Sequence, residues 1–388
     1  MKRRWIPFVF AFLLPLMVLL PYKAAADVND QATKLLLHKF NGTILDFDAS
    51  RIIWKANDKV LWLYNRTDGS QIKVYDGTGS TFIISAAKLS AQGIVYDLNN
   101  EPWMDIPYVS LVYSWKNGQT VKIANDDSLY DIRRNGNIVR LGLHTVDLTT
   151  GQTRVPGFDR ADFLADGSMI YTAPSAPGSA FSLYQSFPDG TVDMLASPSN
   201  KLASKWYGST LGYYGPLSDG KNIVYRELMV KNNYSEMVWA LRLRNADQTV
   251  TTLSVNPNII GRYYPNESYR INNGWVAYIE YDKEIKRKVV NVRSPEGTVK
   301  RVFESPFWWS WRYAPLSIDE LGPDGTVAFT FNDKTYLYYT KANKTVSIQR
   351  SPAMFQYREQ VLGGPGDSEY RVGAWYLQAK DSLYAVRF

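Results

Sequence analysis

The chain contains no cysteine and only two histidines, His38 and His144. The first absence excludes disulfides, thiolate metal ligands, a cysteine nucleophile and a lipid-modified cysteine behind a leader. The second excludes a histidine-rich metal site, because neither histidine has a partner His or Cys at ligand spacing, so no metal and no cofactor are expected. Two isolated histidines in strand-like runs also give a Ser-His-Asp triad little to build on. No G-x-S-x-G, P-loop, zincin helix or EF-hand loop occurs. Basic runs are equally scarce. None is longer than Lys286–Lys288, and charges elsewhere alternate in sign, so no nucleic-acid partner is expected.

Only one long apolar run exists, at the N-terminus. Lys2, Arg3 and Arg4 precede the stretch Trp5–Tyr22, and the small residues Ala24-Ala25-Ala26 follow it. This order of charge, apolar core and small-residue triplet is that of a secretory leader over residues 1–26, leaving a mature domain over 27–388. Three prolines inside the run, Pro7, Pro15 and Pro21, argue against a retained membrane anchor, so no stable membrane insertion is expected after cleavage. The leader carries Lys2, Arg3, Arg4 and Lys23 and no acid, which reduces the net charge of +7 to +3 in the remainder. An exported, disulfide-free, 45% apolar chain of this length can be held by its core alone. It suits a secreted, extracellular bacterial protein, and a monomer is expected.

What the rest of the sequence does have is repetition, in units of about 46 residues. Short runs rich in Tyr, Val, Ile and Trp alternate with Gly/Asp/Asn turns and show no 3.6-residue period, which indicates an all-β chain. Each unit opens with a run such as "SRIIWKA" from Ser50, "QGIVYD" from Gln92 or "DGSMIYT" from Asp166. A second run answers it ("KVLWLYN", "VSLVYSW", "FSLYQSF"), and a third follows a turn ("TDGSQIKVY", "KNGQTVKI", "PDGTVDML"). The eighth unit stops at Phe388 without its last strand, while "TKLLLHKF" (Thr33–Phe40) is a strand with nothing local to pair with. Letting the second complete the first closes a ring. The reading is therefore a single β-propeller of eight blades, or seven if the irregular second and third units are one, closed by the N-terminal strand joining the C-terminal blade. Two stacked β-sandwiches would explain the strands but not the leftover first strand and the missing last one.

The runs "LADGSMIYT…SLYQSFPDGTVDMLA" and "GPDGTVAFTF…TYLYYTKANKTVSIQ" resemble the TolB-like or WD40-like bacterial β-propeller repeat, with its PDG-type turn-strand and following hairpin. The resemblance spans most of Phe40–Phe388 at the level of repeat shape. It implies a fold and no particular partner, because the shared motif is turn chemistry. The full turn is clear only near Asp166, Asp219 and Asp324, and six blades are usual in TolB-like propellers.

Strand alternation puts the short hairpins, such as Asp166-Gly167 and Asp189-Gly190, on one face of the disc. The second-to-third and unit-to-unit connections fall on the other, for example Asp97–Tyr108, Ala173–Ala180 and Ser197–Gly208. Function concentrates on loops held by a rigid scaffold. In four unit-to-unit connections an aromatic sits beside a cation: Trp206 and Tyr207 after Lys205, Arg262 with Tyr264, Trp308, Trp309, Trp311, Arg312 and Tyr313, and Tyr357 before Arg358. Recurrence at one position also suits a packing role in the repeat. Flat rings flanked by cations suit a protein or glycan ligand, and the Trp308–Trp309 pair, with Trp103 in the second unit, departs from the repeat.

A catalytic alternative remains open, since a glycoside hydrolase-like carboxylate pair needs no histidine. Glu101, Asp105, Asp162, Glu227, Glu267, Asp319 and Glu320 lie near loops or turns. Asp-Gly turns supply acids to this fold without catalysis, so the expectation leans towards a non-catalytic binding or scaffold protein.

Overall fold

The computed structural model describes residues 33–387, apart from 49, 101–107, 133–136, 142–143, 155–160, 165, 178, 199–211, 232–235, 256–267, 307–315, 332–333, 349–359, 363–374 and 379–380. Among the described residues there are 32 strands and no helix.

The first four-stranded sheet is β2 (Thr43–Phe47), β3 (Arg51–Asn57), β4 (Val60–Asn65) and β5 (Gln71–Asp76). The second is β6 (Phe82–Leu89), β7 (Ile94–Asn100), β8 (Ser110–Lys116) and β9 (Gln119–Asn125). The third is β10 (Leu129–Ile132), β11 (Ile138–Leu141), β12 (His144–Asp147) and β13 (Thr153–Arg154). An eight-stranded sheet follows. It consists of β14 (Asp162–Phe163), β15 (Met169–Pro174), β16 (Phe181–Ser186) and β17 (Val192–Ala196), then β18 (Gly212–Ser218), β19 (Ile223–Lys231), β20 (Glu236–Arg244) and β21 (Val250–Ser254). Its two halves meet through one parallel pairing, Phe181 with Gly212. A Cβ on Gly212, whose φ is +123°, would sit 2.4 Å from the Phe181 backbone, so only glycine permits this approach.

Two more sheets run in order: β22 (Tyr269–Asn272), β23 (Trp275–Asp282), β24 (Arg287–Arg293), β25 (Val299–Glu304), then β26 (Leu316–Leu321), β27 (Val327–Phe331), β28 (Lys334–Tyr339), β29 (Lys344–Ile348). The last sheet joins the chain ends. Its order is β1 (Thr33–Lys39), β32 (Ser382–Arg387), β31 (Trp375–Gln378), β30 (Gln360–Leu362). Leu35 lies opposite Ala385, and Leu36 opposite Tyr384.

Burial explains which runs became which strands. Second and third strands are covered on both faces, as β7, β23 and β24 are over most of their length, so they read as near-continuous apolar runs. Fourth strands are open. Most large apolar side chains left exposed on strands lie there: Ile72, Val121, Val192, Met194, Val250 and Val299. Leu35 and Leu36 of β1 are exposed in the same way, 44% and 49%, so β1 carries the signature of a fourth strand before any pairing is considered. Lysines on these edges, Lys73, Lys122 and Lys300, guard against edge-to-edge association.

The cores lie between consecutive sheets. Ile53 and Leu61 of the first sheet pack with Ile84, Ile94 and Tyr96 of the second. Val95 and Val112 pack with Leu129 and Val139, and Val290 and Phe303 with Leu316 and Phe329. Leu383 of β32, fully buried, packs with Ile44, Phe47, Ile52 and Trp54 of the first sheet. Each such buried aliphatic contributes about 1.5–3 kcal/mol.

Polar links cross the same seams. The Leu89 amide donates to Asp46 Oδ2 at 2.8 Å, the Leu129 amide to Asp97 Oδ2 at 3.2 Å and the Ser218 amide to Asp162 Oδ2 at 2.6 Å. Asn272 Nδ2 donates to the Leu321 carbonyl at 2.7 Å. Asp46 and Asn272 reach from the first strand of one sheet to the first strand of the next, and Asp162 does so between the two halves of the eight-stranded sheet. Asp97 reaches the next first strand from a second strand, β7.

The hairpins behave as their sequences demand. Asp166 Oδ1 accepts from the Ser168 amide and hydroxyl, Asp189 Oδ1 likewise from Thr191, and the intervening Gly167 and Gly190 have φ of +81° and +88°. The D-G-S/T turn is thus a side-chain cap plus a left-handed glycine. Two expectations about connections need correction. Asp97–Asn100 belong to β7, not to a loop, because Asp97 is buried at 2% exposure. Second-to-third connections are also not all long: only Asp58 and Lys59 separate β3 from β4.

Candidate functional site

The aromatic residues singled out by sequence all lie outside the described residues. In chain order Trp103 falls between β7 and β8, Trp206 and Tyr207 between β17 and β18, Arg262 and Tyr264 between β21 and β22. Trp308, Trp309, Trp311, Arg312 and Tyr313 fall between β25 and β26, and Tyr357 between β29 and β30. Among the candidate acids, Glu101, Asp105 and Glu267 are likewise outside.

The other acids have architectural partners. Asp162 is 4% exposed and holds the Ser218 amide across a seam. Asp319 accepts from the Ser317 and Thr330 hydroxyls at 3.0 and 2.6 Å. Glu320 accepts from the Leu321 amide at 3.2 Å. Glu227, 8% exposed, accepts from Arg242 Nε at 2.8 Å. Beside Glu227, burial pushes the Tyr213 hydroxyl up to about 12, with the glutamate's charge adding to the effect.

One residue further back, the chemistry changes. Successive side chains of a strand point to opposite faces, so Arg226 leaves the Glu227–Arg242 pair behind. It is 4% exposed and its guanidinium lies 5.1 Å from the centroid of the Trp239 ring. Tyr214, opposite Arg226 in the ladder, meets Trp239 edge-on at 5.4 Å, and Phe181 meets Tyr214 at 5.3 Å. Leu228 and Ala180 close the cluster. Arg226 Nε is buried without a hydrogen-bond partner, and no carboxylate among the described residues pairs with this guanidinium.

The imbalance is large. Burying an ion costs several kcal/mol even after relaxation, and a desolvated cation–π contact returns about 2. A lysine could escape by losing its proton, and burial does push the Lys288 ammonium below its ordinary range. Arginine cannot. Phe181, Gly212 and Trp239 stand at or near the ends of strands that leave or enter the long connections, so the cluster sits towards the loop-bearing side.

A second polar group occupies the seam between the second and third sheets. His144 Nδ1 lies 2.7 Å from Asp127 Oδ2, with side-chain exposures of 40% and 19%. Beneath it, Ser110 Oγ lies 2.6 Å from Asp97 Oδ1 and 2.7 Å from the Asp127 carbonyl. The Ser110 hydroxyl donates towards both acceptors, its one proton shared between the Asp97 carboxyl and the Asp127 carbonyl. Burial does raise the Asp97 carboxyl above the usual carboxylate range, opposed by its hydrogen bonds to Ser110, Leu129 and Ser85. A carboxylate on Nδ1 fixes ring orientation and tautomer, as acid–base work requires. His38, by contrast, is packed edge-on against Tyr64 at 5.2 Å, and burial lowers its pKa.

Sequence reading missed Arg226, Asp127 and Asp97. The signals available were an arginine inside an apolar strand ("NIVYRELMV") and an aspartate inside another ("GIVYDLNN"). The hairpin side is also less plain than expected: a cleft of about 170 Å³ opens there between the third sheet and β15–β16, lined by Asp147, Asp166, Met169 and Pro188 among others.

The sequence matches no protein-family model and no curated protein. Several solved structures match in fold. Dipeptidyl peptidase 4 of Porphyromonas gingivalis is 9% identical with a TM-score of 0.54, the match covering 90% of this chain and 58% of that one. The β-propeller domain of the Trilobed protease from Pyrococcus furiosus is 10% identical over 83% of this chain and 99% of that one, with a TM-score of 0.46. Oligogalacturonate lyase of Vibrio parahaemolyticus is 12% identical over 92% and 98%, with a TM-score of 0.43. At such identities the likeness is one of fold alone: this is an all-β protein of propeller type.

Proposed function

We propose that the chain is an exported β-propeller of eight four-stranded blades, the last completed by β1, whose loop-bearing side binds a protein or glycan partner without chemistry. The carrying observation is the desolvated Arg226 among Trp239, Tyr214 and Phe181, a composite of cation and flat rings on that side. The described candidate acids support a non-catalytic reading, since Asp162, Glu227, Asp319 and Glu320 each have architectural partners. The Trp308–Trp309 pair extends the same surface in this proposal. Its test is capture of partners by the mature chain from the native secretome, together with a glycan array, each repeated with Trp308→Ala/Trp309→Ala. Loss of capture with an unchanged melting temperature supports the surface, and unchanged capture removes the pair from it.

A second reading has its own observation, the Asp127–His144 pair. Acid–base catalysis there requires that His144→Asn abolish turnover of a carbohydrate or peptide substrate while leaving its binding intact. A wild-type chain inert towards polysaccharide and peptide libraries ends that reading.

A further inference from the structure

We propose that Arg226 is the reading head of an anion site and that its ligand group is a carboxylate. The proposal deepens the binding reading above by naming the chemistry recognised, and rests on it only for the side of the molecule concerned. Three observations converge. The guanidinium belongs to a residue only 4% exposed, and no carboxylate among the described residues pairs with it. The adjacent carboxylate, Glu227, is on the other face of β19 and committed to Arg242 at 2.8 Å. What faces Arg226 instead is aromatic: Trp239 lies under the guanidinium, and Tyr214 packs against Trp239.

A cation held this way keeps a buried Nε–H without an acceptor, and a desolvated guanidinium presents a donor fork matched to two coplanar oxygens. A carboxylate supplies both the missing charge and that planar geometry. The neighbouring rings then contact whatever carries it, a sugar ring or an amino-acid side chain. The fold tolerates the unpaired charge because the surrounding seam is otherwise well packed, with Val224, Leu241 and Leu243 against Tyr269, Ile271 and Tyr278. A polar group left unpartnered in an otherwise well-packed scaffold is where a functional site is expected.

The test uses the mature chain, followed by thermal melting and calorimetry with two matched pairs of probes: galacturonate against galactose, and an N-acetylated amino acid against its amide. The carboxylate member of at least one pair is expected to raise the melting temperature by about 2 °C at ten times its Kd, and the neutral twin not at all. The responding pair identifies the carrier. Arg226→Met is expected to lose the response while its ligand-free melting temperature stays at or above wild type, because the uncompensated charge is gone. Arg226→Lys is expected to weaken binding about tenfold, since an ammonium lacks the bidentate fork.

Absence of any wild-type response at about 10 mM carboxylate overturns the proposal. So does a response that survives in Arg226→Met. If both variants melt well below wild type, the guanidinium is satisfied within the protein and the proposal also fails. Trp308→Ala/Trp309→Ala is run alongside: a kept carboxylate response with lost partner capture, or the reverse, tells failure of this site from failure of the wider surface.

Discussion

Pairing of the chain ends can be tested by tying them together. Leu36 and Tyr384 are Cα partners in the antiparallel β1–β32 ladder. Such partners stand about 4.5–5.5 Å apart, inside the range that a disulfide spans. The chain has no other cysteine, so Leu36→Cys/Tyr384→Cys can form only one intramolecular bond. Leu36 is 49% exposed, so its replacement costs little in packing. The bond would close a loop of about 350 residues, and the chain-entropy relation then gives a stabilisation of about 6 kcal/mol, an upper figure because strain subtracts from it. With an unfolding entropy near 2.1 cal/mol/K per residue, that amounts to a melting temperature about 8 °C higher. The assay is mobility on a non-reducing gel after mild oxidation of the folded protein, then calorimetry with and without reductant. A pair that cross-links only after denaturation would refute the placement of β1 beside β32, and with it the proposed closure of the ring.

Three further outcomes follow from individual contacts. Gly325 has φ of +81°, and a Cβ there would sit 2.4 Å from the Trp275 ring of the preceding sheet, whereas Gly190 at +88° has open space. Gly325→Ala is therefore expected to lose more than 2 kcal/mol and Gly190→Ala about 1, measured by denaturant melts; equal losses would deny the seam contact. Removing the charge of the buried Glu227 by Glu227→Gln should lower stability by about 2 kcal/mol, because Arg242 then keeps a charge without its 2.8 Å partner.

Asp97 gives a pH test. Its folded pKa is raised by burial while the unfolded value stays near 4, so the folded state holds the proton more tightly across that window. Wild-type stability from this group is thus full below about pH 4 and falls as pH rises through the folded value. Asp97→Asn mimics the protonated acid in shape and titrates nothing, so its advantage over wild type should grow over the same interval and vanish at low pH. Parallel pH profiles for the two proteins would exclude a carboxyl raised by burial at Asp97.

Much of the scaffold was legible because it is written in local chemistry. Runs such as "SRIIWKA", "QGIVYD" and "DGSMIYT" are β3, β7 and β15, the runs answering them are β4, β8 and β16, and the predicted third runs are the exposed fourth strands. Those are strands whose residue types state their own burial. The first strand of each sheet was much harder to read. β10 and β14 have four and two residues, too few for a period, and exist because neighbouring sheets hold them.

The sites were less legible for the same reason. Asp127 lies in the connection leading into β10 and His144 on β12, and the hydrogen bonds under them need Ser110 and Asp97 from the preceding sheet. Sequence showed a histidine without a partner because that partner stands 17 residues earlier, outside any strand, and only the fold brings the two together. Arg226 looks like any strand arginine until the packing removes its water and leaves Trp239 as its neighbour.

The order of strands, the turn chemistry and the orphan first strand were determined by sequence alone, since alternation and Asp-Gly turns are properties of adjacent residues. Which polar groups were buried, and beside what, was decided only where one sheet meets the next. Desolvation and pairing depend on residues far apart in the chain, and no local pattern encodes them.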